Sequence, residues 1–380
     1  MPSHAVEPRS AYIHVPFCAH RCGYCNFTLI ANRPDLVDRY LLALERELSG
    51  LDSPQPVETI FIGGGTPTYL SPPALERLLQ IVLRWFHPAD GCEFSVEANP
   101  DGLDADRVGV LADYGVTRLS LGAQSFHKDK LRTLERDHSP ADIEASVALA
   151  RRRLKSVSLD LIFAAPGESI DVWQSDLQAA LRLSPDHVST YGLTYERGTT
   201  FWGRRLRGEL AQLNEEVERA MYAAAIDRLT AAGFEHYEVS NFARPGHRCR
   251  HNEVYWAGLP YFAAGPGAAR YVGGRREINH RSTTTWMVRV LAGESAVAEA
   301  EELTSEDRAR EALVLALRRM AGVSRREFLH STGFEIDQLV GPQLARHVER
   351  GLLSDRVDQV RLTREGLFVS DAIWPEYLRC

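Results

Sequence analysis

The chain has 380 residues, 44% of them hydrophobic and 25% charged, with a formal net charge of −7. That length bounds two or three domains with a large core, and the acidic balance argues against a nucleic-acid partner, which calls for a basic face. Cys92, Cys249 and Cys380 are scattered and form no disulfide framework, residues 1–10 lack the apolar core of a secretory signal, and no apolar run reaches the ~18 residues of a membrane helix; the expected compartment is a reducing cytoplasm.

In chain order, residues 12–15 read as a short strand feeding a loop that carries Cys18, Cys22 and Cys25 at C-x3-C-x2-C. Residues 34–50 predict a helix, because Val37, Leu41, Leu44 and Leu48 share one face. Pro34 suits its first turn and Gly50 its end. Residues 57–62 form an apolar, β-branched strand that ends at Gly63-Gly64-Gly65-Thr66-Pro67, with a helix over 72–86. The alternation continues through strand 93–97, helix 104–114, strand 118–121, helix 141–152 and strand 156–163. Helix 172–183, strand 187–193 and helix 214–232 complete it.

Strands alternating with helices predict βαβ units on a parallel sheet. The fold class is α/β, and six units suit a partial (β/α)6 barrel. Functional loops then follow the C-terminal ends of the strands. The cysteines, the glycine run, Glu97, Gln124 and Asp160 all fall there. Beyond about 300 the pattern changes. Helices are expected over 304–320, opened by Ser305, and over 324–331 and 336–350, with a β-wing at 351–353 and 359–363. This resembles a winged-helix domain, and its mixed charges point to a lid or docking unit rather than to DNA. The expected division is 1–235 barrel, 236–300 connecting region and 301–380 C-terminal unit.

Soft thiolates this close together hold zinc or an iron–sulfur cluster. A structural zinc site closes with four ligands, and Phe27 stands where a fourth cysteine would follow. Three thiolates on a four-iron cluster leave one iron open. A zinc knuckle completed by His14, His20 or a distant cysteine is the other reading. The glycine run lets backbone approach a ligand without a Cβ in the way, or makes a tight barrel turn. Glu97 offers a carboxylate to an amine or ribose, and Gln124 ends the next strand. Arg136 can pair with a ligand carboxylate. Asp160 is a charge inside an apolar strand, costly if unpaired and relieved by ribose hydroxyls or by Arg136.

The cysteine spacing, preceded by Tyr12-Ile13-His14-Val15-Pro16-Phe17, resembles the radical S-adenosylmethionine (SAM) superfamily in its coproporphyrinogen-oxidase-like branch. The resemblance implies a [4Fe-4S] cluster on Cys18, Cys22 and Cys25. The open iron would chelate SAM, whose cleavage gives a 5'-deoxyadenosyl radical. It further implies SAM contacts at Tyr12, Gly64, Gly65, Thr66, Glu97, Gln124, Arg136 and Asp160.

Downstream stand Tyr237-Glu238-Val239-Ser240-Asn241-Phe242-Ala243, His251-Asn252-Glu253-Val254-Tyr255-Trp256 and Gly265-Pro266-Gly267-Ala268. These runs resemble the HemW-type haem chaperones over nearly the whole chain. The resemblance implies haem held axially by His251 near the top of the barrel. Tyr255 and Trp256 would offer flat faces from a short turn, and Arg248 and Arg250 would meet propionates. His247 and Cys249 are competing ligands, and the alternative is that His251 only ties down a loop. Two departures bear on the haem side: Asn26 follows the last cluster cysteine where relatives have Asp, and Ala269-Arg270 stand where relatives have His-Ser.

Two functions follow. One is a haem chaperone using SAM and the cluster, with an electron donor such as a flavodoxin or ferredoxin and a haem-accepting protein. The other is an oxygen-independent coproporphyrinogen III oxidase that decarboxylates porphyrinogen propionates. Phe27 and the H-N-x-x-Y-W run favour the first. No nucleic-acid partner is expected, and membrane contact is at most transient.

Overall fold

The computed structural model describes residues 7–378. Cys380 and the first six residues of the polar opening lie outside them. Nine strands form one sheet: β1 (Ser10–Val15), β2 (Gln55–Gly64), β3 (Phe86–Ala98), β4 (Arg118–Gln124), β5 (Ser156–Phe163), β6 (His187–Gly192), β7 (Glu235–Glu238), β8 (Asn241–Ala243) and β9 (Phe262–Ala264). Their order is β9-β1-β2-β3-β4-β5-β6-β8-β7. Every pair from β9 to β6 is parallel. The pairs of β8 with β6 and with β7 are antiparallel.

The six parallel strands expected from the sequence are β1–β6, and the α/β barrel is open. The pattern does not predict β7, β8 and β9, whose segments fall almost wholly in the stretch read as a connection. Strands of three or four residues carry too little period-2 signal to be seen. In β1 and β2, Ser10 pairs with Thr59 and Val15 with Gly64, so the two strands end together. That register sets the cysteine loop beside the glycine run.

Helices α1 (Val37–Leu48), α2 (Pro72–Trp85), α3 (Ala105–Asp113), α4 (Lys128–Thr133), α5 (Pro140–Arg151), α6 (Ile170–Arg182), α7 (Thr200–Leu206) and α8 (Glu215–Ala231) follow the strands. Side chains of Asp104, Ser139, Ser169 and Asn214 accept first-turn backbone N–H groups of α3, α5, α6 and α8. The predicted start at Pro34 is a separate 3-10 turn, Pro34–Leu36, before α1. The short α4 and α7 are additions; each spans two turns at most and leaves little helical periodicity to read.

The rest of the chain adds α9 (Arg250–Trp256), an antiparallel sheet of β10 (Ala269–Val272), β11 (Arg275–Asn279) and β12 (Val297–Glu302), and α10 (Thr283–Leu291). The C-terminal unit holds α11 (Ser305–Leu317), α12 (Arg325–Thr332), α13 (Ile336–Glu349), α14 (Arg364–Phe368) and α15 (Ser370–Tyr377). Its wing is β13 (Val323–Ser324), β14 (Leu353–Arg356) and β15 (Gln359–Leu362), ordered β13-β15-β14. Thr304, not Ser305, caps α11, accepting from the Asp307 N–H. This unit has its own apolar core around Leu313, Leu317, Val340 and Tyr377. It joins the barrel through Val239 N–H to Arg318 O at 3.1 Å and Met320 N–H to Tyr237 O at 3.1 Å. Among the described residues, no helix is long and apolar enough to cross a membrane.

The Gly265-Pro266-Gly267-Ala268 run proves to be a buttress. Glu47 on α1 accepts hydrogen bonds from Gly265 N–H at 3.0 Å, Asn279 Nδ2 at 2.6 Å and Trp286 Nε1 at 2.9 Å. Gly265 has φ 103°, and a Cβ there would lie 2.4 Å from the His14 carbonyl oxygen. Only glycine lets β9 press this closely against β1. The Glu47→Ala variant would strand three donors, with Asn279 3% and Trp286 0% exposed. It should lose about 3 kcal/mol or more of stability, read as a fall in the urea midpoint at unchanged slope. A loss under about 0.5 kcal/mol would mean that water replaces the carboxylate.

Candidate functional site

The C-terminal ends of the barrel strands open into one cavity of about 860 Å3. Cys18, Cys22 and Cys25 line it, and Asn26 and Phe27 stand at the same wall. The cysteine loop is tied from several sides. Gly23 N–H donates to Glu135 Oε2 at 2.7 Å, and His20 Nε2 lies 2.6 Å from Glu135 O. The Arg21 guanidinium donates to the carbonyls of Cys25, Phe27 and Leu29. Phe17–Cys18 pairs with Ile30–Ala31, which closes the loop at its base.

Cys18 Sγ lies 3.3 Å from Thr66 Oγ1, and Arg136 Nη1 lies 3.6 Å from Cys22 Sγ. Burial pushes the Cys18 thiol up to about 11, with Cys25 and Cys22 adding to the rise. Burial likewise raises Cys25. Buried thiols that resist ionising at Cys18 and Cys25 need a cationic body to take their charge, which is what a metal cluster supplies. Of the fourth ligands a zinc site would need, His14 is not free. His14 is committed to Tyr12 Oη through Nδ1 at 3.0 Å and to Thr28 O through Nε2 at 2.6 Å. Among the described residues, no three His, Cys, Asp or Glu are placed to hold a single metal ion.

The glycine run serves the protein before any ligand. Gly65 and Thr66 N–H groups donate to Val15 O and Phe17 O, each at 2.7 Å. A Cβ on Gly64 would meet the His14 ring at 2.4 Å, and one on Gly65 would meet Phe17 O at 2.6 Å. The end of β2 therefore lies flush against the cysteine strand, with Thr66 facing the cavity.

The opposite wall carries charge. Glu97 Oε2 accepts from Gly64 N–H at 2.9 Å. Burial, joined by the charge of Asp160, still pushes Glu97 up to about 7. Burial also raises Asp160, whose oxygens accept from Ser120 Oγ at 3.1 and 3.2 Å. Asp160 does not pair with Arg136, contrary to one expectation. Arg136 Nη2 instead donates to Asn99 Oδ1 at 2.6 Å and Gly122 O at 3.1 Å. Asn99 Nδ2 donates to Thr66 Oγ1 at 2.9 Å, so one side chain fixes both. Gln124 lines the cavity too, in a left-handed conformation at φ 61°. Sequence reasoning missed Asn99, Ser120 and Glu135; nothing in their spacing marks them. The cavity thus presents two carboxylates poor in counter-charge and a guanidinium beside a thiol. That donor set suits a ligand bringing a cation and hydroxyls to one side and a carboxylate to the other.

Tyr12 and His251 stand apart. They line a second, inner cavity of about 220 Å3, which shares Glu97, Ser120, Asp160 and Tyr191 with the first. His251 is only 1% exposed. Its Nδ1 meets Thr59 Oγ1 and its Nε2 meets Tyr255 Oη, both at 2.8 Å. Thr59 pairs with Ser10, the first residue of β1. His251 therefore lies at the N-terminal end of the barrel, opposite the cysteines, and not near the top as expected. The H-N-x-x-Y-W run is helix α9 and not a short turn, so His251 and Tyr255 fall on one face and Trp256 on another. Trp256 is buried on Tyr237, with ring centres 5.8 Å apart. Arg248 and Arg250 are exposed and lie near Glu235 and Glu58 respectively. Cys249 is buried, and burial pushes its thiol up to about 12.

Residues 12–180 match the radical SAM superfamily, and residues 303–369 match the HemN C-terminal domain. The heme chaperone HemW of Bacillus subtilis is 36% identical, over 97% of this chain and 99% of its own. The heme chaperone HemW of Mycobacterium tuberculosis is 39% identical, over 97% of this chain and 94% of its own. The chain belongs to the HemW family. The structure of coproporphyrinogen III oxidase (HemN) from Escherichia coli has the same fold, with a TM-score of 0.87 at 23% identity over 98% of this chain and 90% of that one. As a radical SAM family, HemW implies a [4Fe-4S] cluster and SAM, and the thiol loop and the charged wall fit both.

In this HemW-family chain the strand-end loops are braced by a buried ion triad. Lys130 Nζ on α4 donates to Glu168 Oε1 at 2.5 Å and Asp176 Oδ2 at 2.9 Å, 5.0 Å from the Trp173 ring centre. Glu168 also takes Ala165 N–H at 2.9 Å, and Asp176 takes Ser125 Oγ and Phe126 N–H. These anchors sit just past Gln124 and Ala164, both left-handed residues at strand ends. Removing the ammonium would leave two carboxylates of 0–1% side-chain exposure without a cation. The Lys130→Met variant should lose about 3–5 kcal/mol, measured by denaturant unfolding at neutral pH. Burial raises Glu168, so acidification protonates it first and the deficit should shrink as pH falls. A deficit independent of pH would mean that the triad is not the source.

Proposed function

We propose that the chain binds haem and hands it to haem-accepting proteins, with a [4Fe-4S] cluster on Cys18, Cys22 and Cys25 and SAM as its redox or regulatory partners. The observation that carries this over porphyrinogen decarboxylation is position 27. A phenyl ring, 55% exposed, stands at the cavity wall where the oxidases have a fourth cysteine. Full-length similarity to proteins named heme chaperones supports the same reading. When bound, the cluster and SAM supply one-electron cleavage of a carbon–sulfur bond. The chain supplies position. Gly64, Gly65 and Thr66 present the end of β2 to SAM, with Glu97 for its ammonium and Arg136 for its carboxylate. Asp160 serves the ribose and Gln124 completes the contacts, while Tyr12 lies on the inner cavity instead. An electron donor of the flavodoxin or ferredoxin class and a reducing cytoplasm belong to the proposal. So does a C-terminal unit beginning near residue 301, because its core is a separate apolar cluster.

His251 is the proposed haem ligand. Burial lowers it to about 3, so the ring is neutral, the form that coordinates iron. Its Nε2 is held by Tyr255, so coordination displaces that hydroxyl. The inner cavity, at 220 Å3, is also smaller than the ~300–1,000 Å3 of ordinary ligand pockets. Haem binding on this reading shifts α9 outward.

Two measurements test this. Glu97 is neutral below about 7, and only its ionised form attracts an ammonium. SAM affinity should therefore climb roughly tenfold from pH 6 to pH 8 and then level, as the free fraction of carboxylate dictates. Glu97→Gln should flatten the profile, and a wild-type affinity that falls with pH would remove Glu97 from the SAM site. Anaerobic haem titration of His251→Ala should show affinity at least ~10-fold weaker, about 1.4 kcal/mol, with iron content and SAM affinity unchanged. Anaerobic turnover of coproporphyrinogen III with SAM and reductant to a decarboxylated product would overturn the chaperone reading.

A further inference from the structure

The segment after β6 builds a surface that the site does not use. Helix α7 lies against the cysteine loop and holds it by its backbone. Phe201 N–H donates to Gly23 O at 2.8 Å, and the buried Phe201 ring meets Tyr24 edge-on at 6.0 Å. Arg204 Nη1 lies 3.1 Å from Glu135 Oε1, while Glu135 Oε2 takes the Gly23 N–H. Both sides of the peptide between Cys22 and Tyr24 are thus gripped by α7 and its partner.

The outer face of the same segment is cationic and partly apolar. Residues 195–209 carry four arginines against two glutamates, on a chain whose net charge is −7. Arg204 and Arg207 share Glu209. Arg197 and Arg205 have no carboxylate partner among the described residues. Their guanidinium groups lie over Trp202 at 5.9 and 5.7 Å, and Arg205 also lies over Tyr195 at 5.4 Å. Stacking on rings keeps such charges splayed at the surface in place of a collapsed ion pair. Beside them Leu206 is 70% exposed. None of residues 197–207 lines the large cavity, so this face looks outward.

We propose that the α7 face is the docking surface for an acidic one-electron carrier protein that reduces the cluster. This rests on the cluster assignment above and adds the partner's landing site. An aromatic-backed arginine pair with an exposed leucine is the make-up of an interface core, and the charge selects an acidic partner by steering its approach. The surface is joined to the cysteine loop by one backbone hydrogen bond, so a carrier seated there stands next to the redox centre without entering the SAM cavity. The step moves one electron from the carrier's reduced flavin or iron–sulfur centre to the cluster; the carrier is oxidised by one electron, and no bond forms or breaks.

The test is a charge reversal, Arg197→Glu with Arg205→Glu, in the full chain with its cluster reconstituted under anaerobic conditions. The stopped-flow rate of cluster reduction by reduced flavodoxin should fall at least ~10-fold at about 0.01 M salt. The loss should narrow toward 0.15 M, as the screening length contracts from ~30 to ~8 Å. Reduction by dithionite, iron content and SAM affinity should be those of the parent protein, and the Arg197→Lys, Arg205→Lys pair should keep most of the flavodoxin rate. Equal flavodoxin rates before and after reversal would overturn the docking assignment. So would slowed dithionite reduction or lost iron, which would make α7 a support of the loop only. A parent protein that assembles no cluster would instead overturn the cluster assignment itself.

Discussion

The upper end of this barrel depends on how closely the end of β2 approaches the end of β1. Two parallel strands stop in register, and the chain beyond them continues as a pair of loops bonded backbone to backbone. Gly65 and Thr66 donate to Val15 and Phe17, and side chains at 64 and 65 would collide with His14 and Phe17. A single methyl group at either position would push the glycine run away from the cysteines. Thr66 would then leave Cys18 and Asn99, and Asn99 would lose its grip on Arg136. The residues that face the cavity are therefore placed by contacts that face away from it.

Charge buried without a partner is the second organising feature. Glu97 and Asp160 share a wall, each raised by burial, and each has only one or two neutral donors. In a structural network such carboxylates would meet a guanidinium. Arg118, whose charge does reach Asp160, donates to Ser156 Oγ and His247 O, and Arg136 is turned to Asn99, Gly122 and Cys22. Elsewhere the same fold does neutralise its buried acids, as Lys130 does for Glu168 and Asp176. The contrast within one molecule is plain: the first pair leaves its charge to the cavity, and the second is neutralised inside the scaffold.

The barrel also has a cavity toward each end. The cysteines and the charged wall occupy the C-terminal ends of the strands. Helix α9 closes the other end, where Glu93 accepts from the N–H groups of Arg250 and His251. The two cavities share Glu97 and Asp160, so the carboxylate wall separates them. The C-terminal unit borders the upper cavity from outside: Leu367, Phe368 and Val369 line it, and Phe368 packs edge-on against Tyr222 at 5.7 Å.

The sequence by itself determined the strand and helix alternation through β6, the cysteine loop, the glycine turn and the strand-end positions of Glu97, Gln124 and Asp160. These are local facts: periodicity of 2 and 3.6, and residue types at fixed offsets, are written along the chain. Tertiary structure alone decided the rest. Only it showed that Glu47, more than 200 residues from its partners, holds the Gly265 run, since that pairing has no spacing signature. Only it sent Arg136 to Asn99 in place of Asp160, because the direction of a side chain depends on which strands lie beside it. Only it put His251 at the far end of the barrel. An H-N-x-x-Y-W run reads the same in a turn or a helix, and the end of the barrel it closes is set by how the chain returns, 192 positions on, to Thr59.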